Sequence, residues 1–178
     1  MMMKILETKR TILRELTTND AQFNLDLLNE PSFIKFIGDR GVRTLEQSAN
    51  FIETRYQKSY RENGFGLYLV ERKPETGTAD PLIPIGICGF VKRDNLPFPD
   101  IGFAFLNQFE KNGYGFETAE AVLEYGKANL DLKRVLAITT QENESSVKLL
   151  EKLGFAFERL IRMTPDDEEL NLFSIDLS

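Results

Sequence analysis

Apolar and polar side chains alternate from Lys9 to Leu16, a period of two that predicts a β-strand. Thr17-Thr18-Asn19-Asp20 then offers N-cap side chains, and Ala21, Leu25 and Leu28 share a face of the short helix expected next. Pro31 to Ile37 predicts a further helical turn that clusters Phe33, Ile34, Phe36 and Ile37. Thr44-Leu45-Glu46-Gln47 has the capping-box form, a hydroxyl followed by Gln three residues on. Leu45, Ala49, Ile52, Tyr56 and Tyr60 then recur at helical spacing until Asn63-Gly64 stops the run. Strands are predicted over Phe65 to Arg72, Ile85 to Lys92, Asp100 to Leu106 and Val135 to Thr140, with loops over Lys73 to Pro84 and Arg93 to Pro99. Phe116, Ala119, Leu123, Gly126 and Leu130 mark one helical face. Val147, Leu150 and Leu153 mark another, closed by Gly154-Phe155 in the Schellman manner. A hairpin of Phe155 to Arg162 with Leu170 to Leu177 completes the pattern, and the acidic run Asp166 to Glu169 is expected to be its solvated tip.

The predicted order is β-α-α-β-β-β-α-β-α-β-β, with no repeat and no linker. It describes one mixed α/β (α+β) domain over residues 1–178, with a mostly antiparallel sheet, flanking helices and one βαβ crossover.

Composition removes several chemistries. Histidine is absent, which excludes His bases, Ser-His-Asp or Cys-His nucleophile systems and His-ligated metals. Proton transfer is left to carboxylates, Tyr, Lys, Cys, Ser, backbone or water. The single cysteine, Cys88, forms no intramolecular disulfide and no Cys-rich zinc site, and its apolar setting predicts a structural thiol. No metal is therefore expected. The net charge of −6 disfavours nucleic acid and favours cationic partners. No apolar stretch is long enough for a bilayer and no secretory signal is visible, so a cytoplasmic address is expected.

Two blocks carry chemistry. In the first, the strand from Asp100 runs into Lys111-Asn112-Gly113-Tyr114-Gly115, which opens directly onto a helix. Bare amides at a helix start form a seat for phosphate, although two glycines before a helix also serve simply to make a tight turn. A nucleotide P-loop would need Gly-Lys-Ser/Thr here, and Gly115 is followed instead by Phe116-Glu117. The second block is Asn143-Glu-Ser-Ser146, followed by a helix that ends Leu153-Gly154-Phe155.

With both blocks in this order the chain resembles the GNAT N-acetyltransferase superfamily, nearest to the branch that acetylates ribosomal-protein N-termini. The residues that carry the resemblance are Ile101-Gly-Phe103, Lys111 to Gly115, Glu120-Ala121, Asn143 to Ser146 and Glu151 to Phe155, and the likeness extends over nearly the whole chain. It implies acetyl-CoA as co-substrate. The pantetheine arm would lie where the strand ending Phe105-Leu106 splays from its parallel neighbour. The diphosphate would rest on Lys111, Asn112, Gly113, Tyr114, Gly115 and Phe116, with Asn143 and Ser145 along the arm.

The resemblance also implies a proton relay, and here the chain departs from the family. Leu150 stands where many members place the Tyr that protonates the leaving thiolate, and Glu110 stands where Arg or Gln often introduces the glycine loop. Ser146 is the candidate near the sulfur, unless it only satisfies local backbone. Asp100 is the candidate acceptor of the amine proton, unless it is a strand end in solvent; Glu71 and Tyr68 are weaker ones. Phe33, Phe36 and Tyr68 are candidates to meet the acceptor, with Tyr56 and Tyr60 nearby, although aromatics at helical spacing also serve as core.

The expected reaction is direct acetyl transfer to a primary amine, foremost a protein or peptide N-terminal α-amine. A polyamine, an amino acid, an aminoglycoside-like amine, or a catalytically weak acyl-CoA sensor are the alternatives. An α-amine titrates near 8 and a lysine near 10.4, so exposing a lysine lone pair costs about 3 kcal/mol more at neutral pH. A site without His or the usual Tyr therefore suits the α-amine. A homodimer is compatible with this fold.

Overall fold

The computed structural model describes residues 3–178. Strands β1 (Lys4–Glu7) and β2 (Thr11–Arg14) form an antiparallel hairpin. Helices α1 (Ala21–Leu28), α2 (Pro31–Phe36) and α3 (Leu45–Phe51) follow; a π-helical stretch, Ile52–Gln57, joins α3 to α4 (Lys58–Asn63). Then come β3 (Leu67–Arg72), β4 (Ile83–Val91), β5 (Asp100–Phe105), α5 (Tyr114–Asn129), β6 (Arg134–Thr140), α6 (Glu144–Leu153), β7 (Ala156–Ile161) and β8 (Leu170–Asp176).

The eight strands make one sheet in the order β1-β2-β3-β4-β5-β6-β8-β7, and only β5–β6 is parallel. Helices cover both faces. Ala119, Val122 and Leu123 of α5 and Leu150 of α6 pack on one face against Tyr68, Val70, Ile85, Phe90 and Val135. Leu27, Leu28, Phe33, Ile52 and Tyr56 pack on the other against Leu16, Leu69 and Ile87. Ile85 and Ile87 enter opposite cores despite their period-two spacing. The register slips between Val70–Gly86 and Glu71–Pro84, so β4 carries one extra residue and its side chains change face.

The predicted mixed, mostly antiparallel sheet is present. Two local expectations are corrected. The first strand is two strands, because β1 precedes a shortened β2; Ile5 and Leu6 are adjacent and show no alternation to read. Leu45 is half exposed, and the inward face of the long helix begins at Ser48, whose hydroxyl donates to Ala21 O and accepts from Asn24. Half of the expected box at Thr44 forms, its Oγ1 taking Gln47 N at 3.1 Å, while the Gln47 side chain accepts from Arg43 N at 2.7 Å and not from Thr44 N. At Gly154, with φ +100°, the Schellman bonds close α6: Phe155 N to Leu150 O and Gly154 N to Glu151 O, both 3.0 Å. No helix among the described residues is long and apolar enough to cross a membrane.

A buried ion network fixes the early helices to the sheet. Arg14 Nη1 and Nη2 donate to the two oxygens of Asp20 at 2.9 and 2.8 Å, and its Nε donates to Glu71 at 2.8 Å. Asp20 also takes Thr17 N at 2.8 Å, closing a capping box ahead of α1. Glu71 is thus held in a structural ion pair and is not available to a substrate, against the expectation that it handles protons.

Candidate active site

The parallel pair at the centre of the sheet opens almost as soon as it forms. β5 and β6 are in register only at Asp100–Leu136, helped by Leu136 N donating to Pro99 O at 2.9 Å. Beyond that point the β5 edge has no strand partner on the β6 side. A cleft of about 1480 Å³ is lined by the diverging strands, from Asp100 to Phe105 and from Ala137 to Thr140. Unpaired strand edge offers backbone donors and acceptors to an extended ligand.

The glycine loop forms the end wall of this opening. Lys111 (φ +61°) and Gly113 (φ +83°) both adopt left-handed backbone, and α5 starts immediately afterwards with no side chain capping its first amides. Lys111, Gly113, Tyr114, Gly115 and Phe116 line the cleft. Lys152 lines it too, with its ammonium 4.2 Å from the Phe116 ring centre. Free helix-start amides with two lysines beside them fit an anionic group such as a diphosphate. Glu110 also lines this end and works against it. Its pKa is raised, first by loss of solvent and then by the charge of Glu30, with Lys111 opposing.

The loop is clamped from a distant part of the chain. Arg10 donates Nε to Glu117 Oε1 at 2.8 Å and Nη1 to Asn112 O at 3.0 Å, and its guanidinium lies 4.2 Å from the Tyr114 ring centre. Glu117 Oε2 accepts from Thr8 Oγ1 and Arg10 N. Burial alone would raise the Glu117 pKa; the hydrogen bonds from Thr8 and Arg10 outweigh it and hold the carboxylate below its ordinary value.

On the α6 side, Asn143 Oδ1 caps the helix by accepting from Ser146 N at 3.3 Å. Asn143, Ser145 and Ser146 all line the cleft, and Ser146 is half-buried. Leu150, where a Tyr was expected from the resemblance, is 1% exposed and apolar, so no hydroxyl is available at that point.

Asp100 sits where the strands part. It is 1% exposed, and Arg93 Nε donates to its Oδ1 at 2.9 Å. Burial pushes its pKa up from the ordinary carboxylate range, and Arg93 offsets part of the rise. It is therefore a buried, paired carboxylate, not a strand end in solvent. Phe33 and Phe36 of α2 line the cleft on its other wall.

Three sequence candidates fall outside this arrangement. Tyr68 is 1% exposed and lies in the core under α5, stacked on Tyr60 with ring centres 5.6 Å apart and edge-on to Tyr125; both roles expected of it are withdrawn. Leu106 is off the cleft wall because it packs with the α1–α4 core, and its amide is already given to Ile85 O at 2.9 Å. Asn112 is not part of the cleft lining; its carbonyl accepts from Arg10 and its side-chain amide donates to Glu110 O. Tyr60, whose hydroxyl is bonded to Leu16 N and Leu67 O, is likewise structural. Cys88 is fully buried, and its thiol is pushed up to about 12 by burial, which makes it inert. Arg10, Arg93 and Lys152 were missed. Nothing local to Arg10 or Arg93 in the chain links either one to a site, although Lys152 lies within a recognised block.

Comparison with known proteins places this geometry in a family. Residues 10–156 match the family model of the acetyltransferase (GNAT) domain. The chain is 29% identical to the uncharacterized N-acetyltransferase YoaA of Bacillus subtilis, over 98% of this chain and 97% of that protein. Its fold is similar to that of a GNAT-family acetyltransferase from Bacillus anthracis, with a TM-score of 0.75 and 22% identity over 99% and 98% of the two chains. It is similar also to RimL, a ribosomal L7/L12 α-N-protein acetyltransferase solved in complex with coenzyme A, with a TM-score of 0.79 and 12% identity over 98% of each chain. At these identities the structural likeness is one of fold. The family match spans most of the chain and both chemical blocks, and the protein belongs to the GNAT acetyltransferase family.

Proposed function

We propose that this protein transfers acetyl from acetyl-CoA to the α-amine of an acceptor, foremost a protein or peptide N-terminus. The observation that carries this reading is the opening of β5 from β6 beyond Asp100, closed at its far end by the uncapped start of α5. Acetyl-CoA would supply an acetyl group already activated as a thioester. The unpaired β5 edge, from Gly102 to Phe105, would align its pantetheine arm, and the amides from Gly113 to Phe116 would hold its diphosphate beside Lys111 and Lys152.

Within this reading Asp100 receives the proton released by the amine, directly or through one water. Its raised pKa makes it a better base than an ordinary carboxylate, and Arg93 fixes its orientation. Ser146 Oγ, which lines the cleft, would donate to the leaving sulfur, since Leu150 offers no hydroxyl. These assignments ask for modest proton handling, which suits an α-amine titrating near ~8 better than a lysine near ~10.4. Proximity in the cleft contributes the larger share of the rate.

The test is thiol release from acetyl-CoA with three acceptors at equal concentration: a peptide with a free N-terminus, the same peptide with a blocked N-terminus and a lysine, and spermidine. The reading predicts turnover with the first and little with the second. Equal or faster turnover of the lysine or polyamine would contradict it. Tight acetyl-CoA binding without turnover on any amine would make the protein an acyl-CoA sensor.

A further inference from the structure

The wall of the cleft opposite the glycine loop carries charge that acetyl transfer does not require. Along residues 38–63 and 91–100 the charged lining side chains are Arg40, Arg55, Lys58, Lys92 and Arg93, against only Glu62 and Asp100. This local excess of cations is set in a chain whose net charge is −6. One of the two carboxylates, Asp100, is already paired with Arg93.

Three of the cations are guanidinium groups brought together from separate elements. Arg40 follows the left-handed Gly38, Arg55 belongs to the π-helical stretch, and Arg93 lies just past the end of β4. All three line the same cleft, and the Arg40 pKa is lowered, first by loss of solvent, then by the charge of Arg93 and, with Tyr56 opposing, by that of Arg55. Among the described residues the guanidinium of neither Arg40 nor Arg55 has a hydrogen-bonding or ion-pair partner; that of Arg55 only overlies the Phe51 ring, at 5.9 Å. Arg93 uses Nε on Asp100 and leaves both terminal nitrogens unbonded. Planar donor forks whose terminal nitrogens are free, with Asp100 the one paired carboxylate, match the oxygens of a carboxylate or phosphate.

Resting on the acetyl-transfer reading above, we propose that the acceptor is an α-amine that also carries an oxyanion, and that Arg40, Arg55 and Arg93 grip this anion while the amine faces Asp100. The oxyanion is the carboxylate of a free amino acid or the acidic side chain next to a peptide N-terminus; both present the same group to the arginines. Polyamines and aminoglycosides bring more positive charge to this wall and are disfavoured.

Steady-state kinetics on matched pairs tests this. One pair is a free amino acid and its amide; the other is a peptide with glutamate at its second position and the same peptide with glutamine; spermidine is the cationic control. The expected result is a kcat/KM at least about tenfold higher for the anionic member of one pair, and that pair identifies the source of the oxyanion. The preference falls toward one in R40Q and in R55Q, whose thermal melts report whether they fold. In the wild-type protein the KM for the anionic member rises with added salt while that for the neutral member changes little, a readout independent of the variants. Preference for the neutral or cationic acceptor, or an anionic preference untouched by salt and by both substitutions, overturns the inference and leaves acetyl transfer standing. Absence of turnover with every amine overturns acetyl transfer itself and this inference with it.

Discussion

Arg10 and Glu117 are 107 residues apart in the chain and share two hydrogen bonds, from the Arg10 backbone N at 3.0 Å and from its Nε at 2.8 Å. One partner leads into β2 and the other lies in the first turn of α5, so the pair ties the edge of the sheet to the helix that begins at the glycine loop. Glu117→Gln keeps the size of the side chain and removes its charge. We expect it to weaken coenzyme A binding by about three- to tenfold, the range of one ordinary hydrogen bond, with only a small drop in melting temperature. The pH dependence has a definite sign. The folded carboxylate has a lowered pKa, so its stabilisation is present above the ordinary glutamate value and is lost as pH falls through the lower folded one. Wild type should therefore lose more stability than E117Q on acidification below about pH 4.3, measured by urea unfolding across that range.

Gly113 is the residue of the glycine loop least able to accept a side chain. Its φ is +83°, and a Cβ there would stand 3.2 Å from Arg10 Nη2. Gly113→Ala should cost about 1–2 kcal/mol, concentrated in the loop. The expected consequence is a smaller thermal shift on adding coenzyme A, with the ligand-free melting temperature lowered by only a few degrees. An unchanged ligand-induced shift would separate the loop from ligand binding.

The Arg14 network makes the opposite kind of prediction, large in stability and indirect in catalysis. Arg14→Ala leaves Asp20 and Glu71 as neighbouring buried carboxylates without a cation. A loss of about 3–5 kcal/mol is expected, readable in urea unfolding. Because Asp20 caps the segment before α1, the helices over the cleft should loosen first, which hydrogen exchange in residues 21–36 would report.

Asp100 and Ser146 divide the proton work in the proposed reaction, and their substitutions should differ in pH profile. With a raised pKa, Asp100 becomes deprotonated only as pH rises through that shifted value, so activity should climb along this limb. Asp100→Asn should remove the limb and lower kcat roughly a hundredfold or more. Ser146→Ala should lower kcat with little change in KM and leave the limb in place. A wild-type profile retained by D100N would assign the base elsewhere.

How far the site was legible follows from the range of each signal. The strand running into Gly113 and Gly115, the Asn143 cap and the Gly154 stop are local, and their backbone consequences appear where predicted. The opening between β5 and β6 was legible only through family resemblance. Tyr68 was misplaced because alternation states which residues share a face and not which face meets a cleft; here Leu69 and its neighbour Tyr68 are both buried, in opposite cores. The cationic wall was illegible for another reason. Arg40, Arg55 and Arg93 stand in a loop, a π-helical stretch and a strand exit, and only the folded sheet brings them to one surface.

Calorimetric titration of the purified protein with acetyl-CoA is the most direct test of the central claim, that the gap between β5 and β6 and the amides at the start of α5 form a coenzyme A site. The account predicts saturable binding of one molecule per chain, competed by free coenzyme A and weakened by Gly113→Ala. No saturable heat, or binding that is indifferent to that substitution, would contradict it.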